Sequence, residues 1–263
     1  MSDEEPDSAP LGDLVALGSD LVGGGAGAGL GFLLGGGPGA VGGQVIGVAA
    51  SFALRRVAAE IKQRWLSKRE EIRVGGLLAS AVMEFNRRAE RGEKLRDDGF
   101  FDPQADRSVA EELIEHALLV ARDEAEERKV ELLGRLTAAI CFDETVSREQ
   151  GNNLIRTAEH LSYRQIIMLK FFVTSTPHPG LRASDYMKQT NFSLEMIHAL
   201  DEVHSLMRQG LLTNGQTIAL GLTDIIPSSV KTQGVGVQMF NLMRLGDVSE
   251  HVVQGNLSIL FAA

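Results

Sequence analysis

Cysteine, tryptophan and tyrosine are scarce in this chain of 263 residues, which has one Cys, one Trp and two Tyr. Its single cysteine, Cys141, excludes an internal disulfide and agrees with a reducing compartment for the folded part. Positive charge is missing from residues 1–20, which hold six acidic residues and no Lys or Arg. We interpret this stretch as a disordered acidic tail, because it is highly charged and of one sign. A cleavable signal peptide would begin with basic residues, so we do not expect one here.

Charge of either sign is missing from residues 21–54, where 34 consecutive positions contain no Asp, Glu, Lys or Arg. Thirteen of these residues are glycine, and most of the others are Leu, Val, Ile, Phe or Ala. Glycine costs about 1 kcal/mol relative to alanine in a helix, so an isolated helix in water would be unfavourable by on the order of ten kcal/mol. Contacts with lipid or with neighbouring helices would have to offset this cost of helix formation. A flexible linker is the alternative, but linkers rarely carry so many large aliphatic residues.

Seven of these glycines recur at every fourth position, and we call them the glycine ladder. They are Gly23, Gly27, Gly31, Gly35, Gly39, Gly43 and Gly47. Four residues of a helix turn through about 400°, so the ladder would form one slowly winding groove that another backbone can approach closely. The spacing therefore predicts helix packing and self-association.

Pro38 divides the ladder and limits how the segment could sit in a bilayer. A single helix of this length would extend over roughly 51 Å, whereas the hydrocarbon core is about 30 Å thick. Residues 21–34 and 40–54 as two arms would each extend only about 21–22 Å. We therefore favour a glycine-rich helical hairpin or kinked helix over an upright span.

The next stretch, residues 55–96, is basic, with twelve Lys or Arg against six Asp or Glu. Basic residues beside an apolar segment favour the cytoplasmic face and anionic lipid, and tryptophan favours the interface. The predicted lipid-interface residues are Arg55, Arg56, Lys62, Arg64 and Trp65. This pattern predicts association with the inner, cytoplasmic membrane and a cytoplasmic folded part. An ordinary solvated helix of a cytoplasmic protein is the alternative.

The fold class predicted from the remaining pattern is mainly α, with a helical bundle over residues 55–160 and a separate α+β domain over residues 161–263. Apolar spacing over residues 56–89 predicts one long helix or two helices interrupted at Gly75 and Gly76. Ser108 and Glu111 form a capping-box pattern for a helix that reaches about Phe142. The eight core positions predicted on it are Val109, Leu113, Ala117, Val120, Val130, Leu133, Leu136 and Ile140. Further helices are predicted after the capping residues Ser147 and Ser162, the latter over residues 163–173.

The order of elements after residue 161 resembles that of a winged-helix domain. A short helix is predicted near residues 182–188, and Ser193 caps a longer one that ends at Gly210. Residues 211–220 contain Asn-Gly, a strong hairpin signal that would form the wing. The would-be recognition helix carries Glu195, Asp201 and Glu202 against one Arg208, so we expect no nucleic acid partner. We expect a protein-contact or structural role instead.

Residues 108–173 carry helix spacing and phrases such as Glu-Leu-Leu-Gly-Arg-Leu at 131–136 and Ser-Tyr-Arg-Gln-Ile-Ile-Met-Leu at 162–169. This region resembles the helical segment of abortive-infection alpha proteins of prokaryotes. The resemblance implies a bacterial defence role in which a helical protein responds to phage infection. It identifies no functional residue.

No catalytic, cofactor or metal site is predicted. Residues 37–42 match the dinucleotide pattern G-x-G-x-x-G, but no strand-helix unit follows and the ladder already accounts for these glycines. Glu112 and His116 form a single i,i+4 pair on a highly charged helix face, which we interpret as solvated surface. The leading hypothesis is thus a non-enzymatic membrane-associated protein that inserts or oligomerises through its ladder. A soluble interaction module with the ladder buried in a protein interface is the alternative, and a winged-helix transcription regulator is the third.

Overall fold

The computed structural model describes residues 48–62, 66–103, 106–173 and 181–257. The chain divides into two compact units, and the boundary along the chain lies between His160 and Leu161. As predicted, the described residues are mainly helical, with nine α-helices and one two-stranded sheet. No helix in these four ranges has the length and apolar character needed to cross a membrane.

Unit 1, up to residue 160, contains five described helices. They are α1 (Val48–Lys62), α2 (Lys68–Glu90), α3 (Val109–Asp123), α4 (Glu127–Ile140) and α5 (Arg148–His160). Helix α3 packs against the other four, and α4 also packs against α2 and α5. Seven of the eight predicted core positions on α3 and α4 are buried, and only Val109 is partly exposed. Apolar spacing on these helices therefore identified the centre of unit 1.

Helix α1 runs across the predicted boundary between residues 54 and 55. Ala50, Ala53 and Leu54 are at most 2% exposed, and Val57 and Ile61 continue the same buried face with 1% exposure each. This face packs against α3. The end of the predicted apolar segment, residues 48–54, is thus part of the folded unit, and the rest of that segment lies outside the described residues.

The break predicted at Gly75 and Gly76 is wrong, because both residues lie inside α2 and are buried. Helix α2 begins instead after Ser67, where the backbone N–H of Ser67 donates to Glu70 Oε2 at 2.5 Å and Ser67 Oγ caps the Glu70 N–H. An added Cβ at Gly76 would lie 3.3 Å from Val130 Cγ1, so this glycine lies close to α4. Packing of α2 on α4 thus keeps both glycines helical despite their weak helix propensity.

The single helix predicted from residue 109 to about 142 is also wrong, because residues 124–126 separate α3 from α4. No glycine or proline marks this turn. The carboxylate of Glu124 stabilises it by accepting a hydrogen bond from the Glu126 N–H at 2.9 Å and by pairing with Lys129 Nζ at 2.5 Å. Both paired side chains are under 10% exposed. A buried charge pair therefore holds a turn that local propensity does not reveal.

Unit 2, from residue 161, combines four described helices with the small sheet. They are α6 (Tyr163–Val173), α7 (Leu194–Arg208), α8 (Gly234–Leu242) and α9 (Glu250–Leu257), with strands β1 (Leu212–Thr213) and β2 (Lys231–Thr232) and 3₁₀ turns at Leu222–Asp224, Pro227–Ser229 and Leu245–Asp247. Helix α6 has the predicted bounds and is the centre of the unit, since it packs against α7, α8, α9 and β2. Six of its eleven residues are buried.

The winged-helix arrangement predicted for unit 2 is not confirmed. Residues 182–188 form bends and a turn rather than a helix. Strand β1 pairs antiparallel with the distant β2, with Leu212 opposite Thr232, whereas the local pairing predicted at Asn214 is limited to a single antiparallel bridge between Asn214 and Thr217. Asn214 is 3% exposed, and its side chain accepts from the Ile226 N–H at 2.9 Å and donates to the Asp224 carbonyl at 3.0 Å. These distant backbone partners compete with a two-strand hairpin.

Candidate functional site

The predicted site residues fall mostly outside the part of the chain that the structure describes. All seven ladder glycines lie there, namely Gly23, Gly27, Gly31, Gly35, Gly39, Gly43 and Gly47. Arg64 and Trp65 lie there too, whereas Arg55 and Lys62 are members of α1. Arg56 is the predicted lipid-interface residue whose side chain is described. Since α1 begins at the residue after the last ladder glycine, the way α1 is held in unit 1 is the observable part of the site.

Arg56 joins α1 to the beginning of α3. Its Nη1 donates to Glu111 Oε1 at 3.1 Å, and its Nη2 donates to the backbone carbonyl of Asp106 at 2.9 Å. Its Nε also lies 3.5 Å from Glu60 Oε1, one helical turn along α1. Glu111 is 3% exposed, and its second oxygen accepts from the Ser108 N–H at 2.8 Å. One buried carboxylate therefore caps α3 and binds α1 at the same time.

Arg107 makes the second connection between α1 and α3. Its guanidinium donates to Glu60 on α1 and to Glu115 on α3. The hydrogen bond to Glu115 raises the pKa of Arg107 above its ordinary value. Because a guanidinium stays charged throughout the physiological range, this bridge does not depend on pH near neutrality.

We call Arg56, Glu60, Arg107, Glu111 and Glu115 the α1 anchor. Sequence reasoning recognised Glu111 through its capping box and assigned Arg56 to the lipid interface, but it did not predict that the two side chains meet. Partners such as Arg56 and Glu111 are 55 positions apart, so the missing signal was tertiary. Together with the buried face of α1, the anchor fixes α1, the helix that follows the last ladder glycine in the sequence, to α3.

Cys141 cannot act as a nucleophile in the folded chain. It follows α4, is 1% exposed, and burial raises its pKa to about 12. The reactive form of cysteine is the thiolate, which ionises near pH 8.5 in an unfolded chain. Because the folded thiol stays protonated, its contribution to stability is lost as the pH rises from about 8.5 towards 12.

Labelling of Cys141 should therefore report unfolding. We expect monobromobimane at pH 8 to modify the native chain at least about a hundredfold more slowly than the chain in urea, since both thiolate and access are lost on folding. Fluorescence of the labelled protein measures this rate. Equal rates with and without urea would contradict the buried position of the thiol.

The charged helix face around Glu112 and His116 carries ion pairs and hydrogen bonds. Glu112 pairs with Arg148 at 2.6 Å, and Nδ1 of His116 lies 2.8 Å from Oδ1 of Asn152. Across the described ranges, no three His, Cys, Asp or Glu side chains come together in a way that could hold a metal ion. Glu112 and His116 therefore each contact a residue of α5.

No family model matches this chain, and no curated protein or solved structure matches it either. Its resemblance to abortive-infection alpha proteins stays a prediction from the residues that carry it.

Proposed function

We propose that this protein is a non-enzymatic, membrane-associated scaffold that assembles with copies of itself through the glycine ladder. Unit 1 would hold the ladder, and the basic stretch after it would face anionic lipid headgroups. Close approach of ladder helices would supply the packing energy, because small residues let backbones come near enough for extensive van der Waals contact.

The observation that carries this proposal is the position of α1. It begins directly after Gly47, its buried face packs on α3, and the α1 anchor ties it down with two arginines. Association of the ladder would therefore bring the folded units of several copies together in a defined way. A flexible link between the ladder and unit 1 would leave the folded units of the assembled copies without a defined arrangement.

A buried protein interface is the second candidate for the ladder, and the contact between α2 and α4 favours it. Gly134 on α4 faces α2 so closely that an added Cβ would lie 2.6 Å from the Leu77 carbonyl oxygen. Ser80 of α2 donates to the Glu131 carbonyl across the same contact at 2.8 Å. This chain therefore already joins two helices of unit 1 through small residues.

Three leucines in the ladder test its role directly. We expect Gly27→Leu, Gly31→Leu and Gly43→Leu together to weaken self-association at least about a hundredfold, because each bulky side chain blocks close packing and costs about 1–3 kcal/mol. Analytical ultracentrifugation of the full chain, in detergent and in aqueous buffer, measures the change.

The matched control places three leucines out of phase with the ladder, at Gly25, Gly29 and Gly42. It adds the same apolar volume and the same loss of glycine, so only the groove differs between the two triple variants. Equal self-association of both variants would contradict the ladder as an assembly surface.

Flotation of the full chain with anionic vesicles separates the two candidates. We call the variant with leucine at Gly27, Gly31 and Gly43 the in-phase variant. If the parent chain floats with the vesicles, and the in-phase variant also floats but no longer self-associates, the result supports assembly in the membrane. A chain that stays with the aqueous phase but loses its oligomer in the in-phase variant supports the protein interface instead. Any truncated comparison should begin at Val48, since a chain beginning at Arg55 would lack the buried Ala50, Ala53 and Leu54.

We extend the proposal to bacterial phage defence on the strength of the resemblance at residues 108–173. In this role, assembled ladders would perturb the membrane of an infected cell and stop phage production. Plaque counts on bacteria that express the protein test it, and the in-phase variant should lose protection while the out-of-phase variant keeps it. Equal plaque counts with and without the protein would reject the defence role but not the assembly.

A further inference from the structure

In the described ranges, unit 2 exposes more large apolar side chains than unit 1 does. Five of the seven exposed large apolar residues in the described ranges belong to unit 2. They are Met187, Leu194, Ile197, Ile218 and Leu220. Ile218 and Leu220 are the most extreme, at 84% and 85% exposure. Single exposed residues need no explanation, whereas large exposed apolar side chains that lie close together mark a contact surface.

The two most exposed side chains project from one loop, residues 215–221, which we call the apolar loop. It is part of a longer stretch, residues 211–222, that contains no charged residue. The tip of the loop thus combines two aliphatic side chains with small and neutral polar residues. The residues of the tip therefore have no charged side chain of their own to remove from water.

The backbone of the apolar loop is hydrogen-bonded within the protein. The Leu220 and Gly221 N–H groups both donate to Asp224 Oδ2 at 2.9 Å, and the Thr217 N–H donates to the Asn214 carbonyl at 3.4 Å. An apolar phase penalises each unpaired backbone group by several kcal/mol, so loops that enter it need internal partners. The apolar loop meets this requirement at three of its N–H groups.

Two exposed lysines stand on the segments that hold the ends of the apolar loop. Lys231 on β2 is opposite Thr213, the residue before Asn214. Lys188 lies in a turn beside Tyr186, whose N–H donates to the Thr223 carbonyl at 2.7 Å. Of the acidic groups nearby, the Asp224 carboxylate accepts from two loop N–H groups and the Asp185 carboxylate accepts from the Met187 N–H. Lysines beside an uncharged aliphatic tip are complementary to anionic headgroups above a hydrocarbon phase.

We propose that the apolar loop is a lipid-contact site, at which Ile218 and Leu220 enter the interface of an anionic membrane and Lys188 and Lys231 meet its headgroups. This inference goes beyond the ladder, because it rests on unit 2 alone. A membrane surface accepts a convex tip without a shaped pocket. Unit 2 would thereby dock on the same bilayer that the ladder is proposed to enter.

A fluorophore attached to the apolar loop would report contact between this loop and a membrane. The full chain with Ala219→Cys is labelled with an environment-sensitive dye, which the buried Cys141 does not take up in the native state. We expect a blue shift on addition of vesicles that contain phosphatidylglycerol, and a smaller one with phosphatidylcholine alone. Dye at Asn241→Cys on α8, an exposed position of the same unit, is the control for nonspecific shifts.

Replacing the two aliphatic residues should remove the response. In the labelled chain with Ile218→Ser and Leu220→Ser, we expect the lipid concentration for half-maximal shift to rise at least about tenfold. The matched variant Gln216→Ser with Thr217→Ser also changes two residues of the loop but keeps both large aliphatic side chains, and it should behave like the parent. An equal loss in both variants would overturn the aliphatic contact.

The remaining outcomes separate this site from the ladder. If the chain floats with vesicles but the dye at residue 219 does not shift, the loop proposal fails and the proposed function stands. If the dye shifts with lipid while the ladder variants float and associate like the parent, the loop stands and the ladder role fails. A shift that follows protein concentration without lipid would assign the apolar loop to a second copy of the chain and overturn the lipid site.

Discussion

Replacing Gly134 by alanine is expected to lower the free energy of unfolding of unit 1 by about 3 kcal/mol. The new Cβ would lie 2.6 Å from the Leu77 carbonyl oxygen and 2.7 Å from Ser80 Cβ. Neither contact can be relieved by a side-chain rotation, because one partner is backbone and the other is a Cβ atom. Helices α2 and α4 would have to separate, and the Ser80 to Glu131 hydrogen bond would lengthen.

Urea dependence of Cys141 labelling measures this change within unit 1, where a signal from the whole chain would mix two units. Gly76→Ala is the matched control, since it adds the same methyl group to the other helix of the pair. Its Cβ would meet only Val130 Cγ1, at 3.3 Å, and alanine also favours the helix by about 1 kcal/mol. We expect the control to stay within about 1 kcal/mol of the parent. Equal losses in both variants would contradict the close approach at Gly134.

Local signals in the sequence predicted the beginnings of several helices correctly. Ser108, Ser147 and Ser162 were predicted to cap helices. In the structure each of them exchanges reciprocal hydrogen bonds with the Glu or Gln three residues later. Ser193 likewise caps α7 by accepting from the Met196 N–H at 3.1 Å. Such motifs involve residues within one helical turn, so the information is present in a short window.

Distant contacts explain where sequence reasoning failed. The turn between α3 and α4 depends on the buried pair of Glu124 and Lys129, and the partner of β1 lies 18 residues beyond its end. Asn-Gly at residues 214–215 does make a turn, with Gly215 at a φ of +71°, but beyond one bridge between Asn214 and Thr217 the following residues lead to the exposed loop rather than to a second strand. A strong local turn signal thus fixed the turn and not the pairing.

The candidate site shows the same division between local and tertiary information. Ladder spacing is a property of the sequence, and its assembly role stays a prediction because the ladder lies outside the described residues. The α1 anchor and the apolar loop emerged only from the structure, since they depend on which carboxylates Arg56 meets and on how exposed Ile218 is. Hydropathy alone predicted residues 48–54 as membrane segment, whereas packing on α3 makes them part of unit 1.

Removing Lys129 is expected to lower the stability of unit 1 strongly. Lys129 is 2% exposed, and its Nζ lies 2.5 Å from Glu124 Oε2 and donates to the Glu159 carbonyl at 3.0 Å. It therefore joins the ends of α3 and α5 to the beginning of α4. Lys129→Met keeps the aliphatic volume but leaves the Glu124 carboxylate buried without its cation, which typically costs about 3–5 kcal/mol.

A second variant decides whether the loss comes from the orphaned charge or from packing. In Glu124→Gln with Lys129→Met the buried negative charge is gone, while the glutamine oxygen can still accept from the Glu126 N–H. If the orphaned charge dominates, the double variant should recover about half of the loss, because well-packed neutral groups can replace a buried ion pair at little cost. Arg128→Met makes the same charge change at the exposed neighbouring position, and we expect a loss of at most about 1 kcal/mol there. A double variant as unstable as Lys129→Met, measured by the urea dependence of Cys141 labelling, would show that the Glu159 contact and packing carry the stability instead.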